Sequence, residues 1–141
     1  MNNQRKVCTH MDKKKNCHPI VGRRNLYVAR AAALFWTRSQ RADVARLLRS
    51  AQALVGRGWT RRAMARTRGG RSTDVFSPAA ARFCLEGALR KAGEWTVARR
   101  RALELLEASL QGRSLVNFND DIARSKQDVI DLLDAGLQVL R

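Results

Sequence analysis

The chain has few of the residues that would make its chemistry easy to name. Its three cysteines are an odd number at irregular spacing and do not make a disulfide framework, so a reducing compartment, the cytoplasm, is the expected setting. Cys84 is the one cysteine beyond residue 17, and both histidines, His10 and His18, fall in the first 18 residues. A Cys–His couple would therefore need the N-terminal arm to fold back over the rest. No nucleophile elbow, phosphate-cradling glycine loop or metal-binding helix motif is present. The longest apolar run, residues 26–36, is broken by Arg30 and falls short of the roughly 20 residues of a membrane span. No small-residue cleavage site of the secretory kind follows it.

Acids are scarce too: 12 Asp and Glu stand against 28 Lys and Arg, a net charge of +16 over 141 residues. Such a balance favours an anionic partner, whether nucleic acid, membrane surface or acidic protein. The excess is uneven. Residues 1–42 carry ten basic residues and one acid, residues 43–112 carry fourteen and six, and residues 113–141 carry four and five. The C-terminal segment therefore belongs to no basic surface. A hydrophobic fraction of 45% argues for a folded core, and the length favours one domain.

Residues 1–22, with Lys13, Lys14 and Lys15, read as a flexible basic arm. Cys8, His10, Cys17 and His18 are metal-ligand types, but adjacent Cys17 and His18 suit one tetrahedral ion poorly, and a solvated tail is the preferred reading. Residues 23–41 project as a basic amphipathic helix. Arg23, Arg24, Arg30, Arg38 and Arg41 share one side, while Val28, Ala29, Ala32, Phe35 and Trp36 lie largely opposite. Such a helix could dock on the domain, grip phosphates or lie on a membrane. Asp43 opens the next helix, whose Val44, Leu47, Leu48, Ala51, Leu54 and Val55 form a core stripe ended by Gly56.

Six arginines follow without an acid: Arg57, Arg61, Arg62, Arg66, Arg68 and Arg71. Alternation around Ala63, Ala65 and Thr67, followed by Gly69 and Gly70, suits a short hairpin. Arginine forks onto phosphate and stacks on bases, and Trp59 could add a stacking face or plug the core.

A central helix is expected over residues 78–92, capped by Ser77 with Pro78 in its first turn. Cys84, Gly87 and Ala88 would lie within it as a close-packed inner surface, and Arg82, Glu86 and Arg90 would form its polar strip. Thr96 caps a helix over residues 97–111 with Ala98, Ala102, Leu103, Leu105, Leu106 and Leu110 on one face. Asn117, Phe118, Asn119, Asp120 and Asp121 read as a polar turn, with no spacing for a calcium loop. Ser125 and Asp128 make a capping box for a last helix near residues 126–140 that closes the core.

Gly58-Trp59, Ala65-Arg66, Gly70, Cys84-x-x-Gly87-Ala88-Leu89-x-x-Ala92, Phe118-Asn119-Asp120 and Arg124-Ser125, with Val129 and Ala135, resemble the pattern of an uncharacterised bacterial and phage domain family of unknown function. The resemblance covers roughly residues 43–137. It departs where family members often have Trp in place of Phe118, and in the long basic arm, which they lack. The resemblance implies a compact helical domain in a bacterial, plasmid or phage setting, and no activity.

The expected fold is mainly α: about four core helices in a bundle over residues 42–141, an extra basic helix over residues 23–41, and room for a hairpin around residues 59–75. The expected function is non-catalytic contact with nucleic acid or another polyanion, with little sequence preference. Arg57, Trp59, Arg61, Arg62, Arg66, Arg68, Arg71, Arg23, Arg24, Arg30 and Arg38 would carry that contact. Ser77, Cys84, Gly87, Ala88, Phe118, Asn119 and Asp120 are expected to be structural, with no cofactor and no metal. One alternative is a module that binds an acidic protein surface or a host protein complex, and another is a small enzyme using Cys84.

Overall fold

The structure, a computed structural model, describes residues 21–141. The arm, apart from its last two residues, and the candidate ligands Cys8, His10, Cys17 and His18 lie outside the described residues. The first helix, α1, spans Arg23–Ala32 and stops there, so the helix expected over residues 23–41 is broken. Thr37 is the reason. Its hydroxyl accepts the Gln40 amide while the Gln40 side chain accepts the Thr37 amide, a reciprocal capping box that starts a new helix, α2, at Arg38. Asp43, expected to open this helix, lies inside it and pairs with Arg46.

Helix α2, Arg38–Arg57, is the axis of the core: Val44, Leu47, Leu48, Ala51 and Val55 are buried along it. It packs against α3 (Leu85–Gly93), α4 (Val97–Ser109) and α6 (Lys126–Val139). Thr96 caps α4 through the Arg99 amide, and Ser125 with Asp128 caps α6 by a second capping box, as the sequence indicates. Helix α1 lies across α4 and α6 and sends Ala29 and Ala33 into the same core. The protein is thus mainly α, a helical bundle with one small sheet. Among the described residues, no helix is long and apolar enough to cross a membrane.

The sheet has three short strands, β1 (Ala65–Thr67), β2 (Ser72–Thr73) and β3 (Ala80–Phe83), in the order β2-β1-β3, all antiparallel. The hairpin of β1 and β2 turns at Gly70, whose φ of +90° suits glycine. Strand β3 overturns the expectation of a helix over residues 78–92. Ser77 caps a turn through the Ala79 amide instead of opening a helix. Ala80, Arg82 and Phe83 pair along β1, with Ala81 skipped at a bulge, and the helix starts only after Cys84. Cys84 is therefore the residue that caps α3, not one in its middle: its Sγ accepts the Gly87 amide at 3.2 Å.

Gly87 sits where the sheet meets the first turn of α3. A Cβ there would overlap the Met64 carbonyl oxygen, so only glycine lets this backbone approach. The same carbonyl accepts the Cys84 amide at 3.1 Å. The polar turn expected at residues 117–121 is mostly a short helix, α5 (Leu115–Asp120), capped by Ser114. Its Phe118 is fully buried.

Candidate functional site

Asn119 ties together the loop after α2, the start of α3 and the end of α5. Its side chain is buried and uses both ends. The carbonyl oxygen accepts the Trp59 indole N–H at 2.8 Å and the Leu85 backbone N–H at 3.0 Å. The amide nitrogen donates to the Thr60 carbonyl at 3.1 Å and to Asp120 Oδ1 at 3.0 Å. That Asp120 oxygen also accepts the Arg62 backbone N–H at 2.9 Å. Arg62 has a φ of +59°, a left-handed conformation that non-glycine residues seldom adopt, and Asp120 holds it there.

Two of the predicted contact arginines are consumed inside this loop. The Arg61 guanidinium lies over the Trp59 ring at 4.8 Å and donates to the Arg124 carbonyl. Arg66 donates to Thr60 Oγ1 at 3.0 Å, to the Gly70 carbonyl at 3.1 Å and to the Arg61 carbonyl at 3.4 Å. Trp59 is half-buried, with its N–H bound to Asn119 and one face covered by Arg61. These three side chains hold the loop in shape, which leaves little of the Trp59 ring for stacking.

The loop so fixed displays the remaining arginines outward. Arg57, Arg62, Arg68 and Arg71 are exposed, and among the described residues none of their guanidiniums is in a salt bridge. Arg82 joins them. It pairs with Arg66 across the β1–β3 ladder, so alternation puts it on the outer face of the sheet, opposite the buried Ala65 and Phe83. Sequence reasoning assigned Arg82 to a helix surface, and only the strand brings it here. Two carboxylates in these segments are hydrogen-bonded to backbone: Asp74 accepts the Phe76 amide, and Asp120 is used as above.

Arg23, Arg24, Arg30 and Arg38 are also exposed, but elsewhere. Arg38 and Arg57 are the two ends of α2, whose 20 residues span about 30 Å. The eleven predicted contact residues thus form an end around Arg57 and the sheet, an end around α1, and an internal set.

Cys84 is buried, and burial pushes its thiol pKa up, outweighing the Gly87 and Glu86 backbone N–H groups that favour the thiolate. A thiol held neutral is a weak nucleophile, even at a helix N-terminus. Asp121 moves the other way. The Ala123 N–H first, then Arg113, hold its carboxyl below the usual range. Among the described residues, no three His, Cys, Asp or Glu side chains gather where one metal ion could be held.

Seven of the residues that carry the sequence resemblance meet at or beside this junction: Trp59, Arg66, Cys84, Gly87, Asn119, Asp120 and Arg124. Neither the curated proteins nor the solved structures include a match to the chain. A family model does match, over residues 39–138, and the chain accordingly belongs to that family of unknown function, DUF6197.

Proposed function

We propose that the protein is a non-catalytic binding module that holds nucleic acid through the arginine-rich end built by the loop after α2 and the sheet. One observation carries this reading: Arg57, Arg62, Arg68, Arg71 and Arg82 stand exposed and, among the described residues, free of salt bridges, on and around a loop locked by Asn119, Asp120, Arg61 and Arg66. A fixed backbone under these guanidiniums leaves only their side-chain rotamers to be ordered on binding, and forked donors match phosphate oxygens. Apart from Arg57 in the last turn of α2, these side chains stand on loop and sheet, so the contact is with the phosphate backbone and has little sequence preference.

The test is a binding titration with duplex and single-stranded oligonucleotides across salt. About four phosphate contacts give a loss of about 100-fold in affinity between about 50 and 200 mM salt. Arg62→Ala, Arg68→Ala and Arg71→Ala should each weaken binding for all sequences and reduce the salt slope by about one. Arg61 and Arg66 are left in place because they hold the loop. Absence of binding at low salt overturns the proposal. A nuclease-resistant, stoichiometric protein partner in a pull-down would instead favour an acidic protein surface.

A further inference from the structure

Helix α1 and the turn after it leave a second surface, whose residues up to Arg38 all lie before the matched residues 39–138. The core takes Ala29 and Ala33, with Leu26 and Trp36 packed partly against it. What remains outward is unusual for a folded surface: Phe35 is 91% exposed, Tyr27 70%, Leu34 64% and Val28 51%. The expected apolar face of this helix is therefore split, with Ala29 and Trp36 turned inward and Val28 and Phe35 turned out. The turn that presents Leu34 and Phe35 is fixed, since Arg41 donates to the Ala33 carbonyl at 2.8 Å. Around these four side chains stand Arg23, Arg24, Arg30 and Arg38, all exposed, and residues 21–42 contain no acid.

We propose that α1 and its turn form a docking surface for an anionic lipid bilayer. Charge complementarity selects the sign of the partner. A second copy of this chain would bring the same arginines face to face around a two-fold axis. The side chains select among anionic partners. Aliphatic Val28 and Leu34 find no apolar layer on a phosphate backbone, whereas the boundary between headgroups and acyl chains takes aliphatic and aromatic groups alike. Arginines flanking such groups reach the headgroup phosphates while their stems lie along the apolar layer. The surface protrudes, as the exposure of Phe35 requires, and a fluid lipid interface needs no complementary pocket.

The experiment is co-sedimentation of the full chain with vesicles of phosphatidylcholine containing phosphatidylglycerol, against vesicles of phosphatidylcholine alone. Binding is expected to the first and not to the second at the same salt. Leu34→Ala with Phe35→Ala should lower the partition coefficient about tenfold with the melting temperature unchanged, because both side chains are exposed. Arg24→Glu with Arg30→Glu should abolish binding, and Arg62→Ala with Arg68→Ala should leave at least half of it. Equal binding to both vesicle types, or full binding by the Leu34→Ala, Phe35→Ala variant, overturns the proposal. So does a dimer in light scattering that this variant dissolves, since a second copy would then be the occupant.

Discussion

Replacing Asn119 with alanine strands two buried groups, the Leu85 N–H and the Thr60 carbonyl, and a part-buried one, the Trp59 indole N–H. Each buried polar group left without a partner costs about 1–3 kcal/mol, so Asn119→Ala should lose about 3 kcal/mol or more in urea unfolding. Asn119→Asp keeps two acceptors but loses the donor, and it sets a second carboxylate against Asp120; it should also destabilise, more at neutral than at acidic pH. Cys84 gives a pH dependence of the same direction at higher pH. Its thiol pKa is raised in the fold by burial, so the unfolded chain ionises first as pH rises. The contribution is complete below the ordinary thiol pKa of about 8.5 and is lost as pH climbs through the higher folded value. Thermal melts from pH 7 upward should fall faster for the parent than for Cys84→Ser, and Cys84 should react slowly with a small thiol reagent in the folded protein.

At the level of elements, two helical glycines should answer differently to the same change. Gly87→Ala forces a methyl onto the Met64 carbonyl, which holds the sheet against α3, and should cost about 1–3 kcal/mol as overpacking. Gly56, near the end of α2, has nothing within 4 Å of an added Cβ, and Gly56→Ala should gain about 0.5 kcal/mol from helix propensity. Paired denaturation curves read both. The bundle itself was open to sequence reasoning because its stripes and caps are local: Thr96 and Ser125 start α4 and α6, and the Val44 to Val55 stripe marks α2. Strand β3 was not, since Ser77-Pro78-Ala79-Ala80-Ala81 imitates a helix start and becomes a strand only by pairing with β1. The break before α2 did have a signal, Thr37 with Gln40, hidden by the apolar run preceding it and by the more obvious Asp43.

For the whole molecule, the sequence shows how many arginines there are but not how they are partitioned. Within the single run of residues 57–71, alternate fates fall to neighbours: Arg61 and Arg66 are held by backbone carbonyls, while Arg62 and Arg68 are exposed. No periodicity distinguishes them, because the sorting depends on Asn119 and Asp120, about 60 residues further on. Helix α2 places Arg38 and Arg57 about 30 Å apart, and the exposed arginines of the sheet end and those beside α1 are separate sets of residues that can be altered separately. Variants at one end should leave binding at the other intact, which a double assay with oligonucleotide and vesicle on the same preparations would establish.

The Asn119 junction also sets a time order for folding. It joins positions 60 and 34 residues apart in the chain, and loops of that length must close before any of its hydrogen bonds can form. Helices α2, α4 and α6 form from local contacts, so the junction is expected to form after the main barrier. Asn119→Ala should therefore accelerate unfolding in stopped-flow chevrons with little change in the refolding arm. In the native protein, the Leu85 amide should exchange its hydrogen only through complete unfolding.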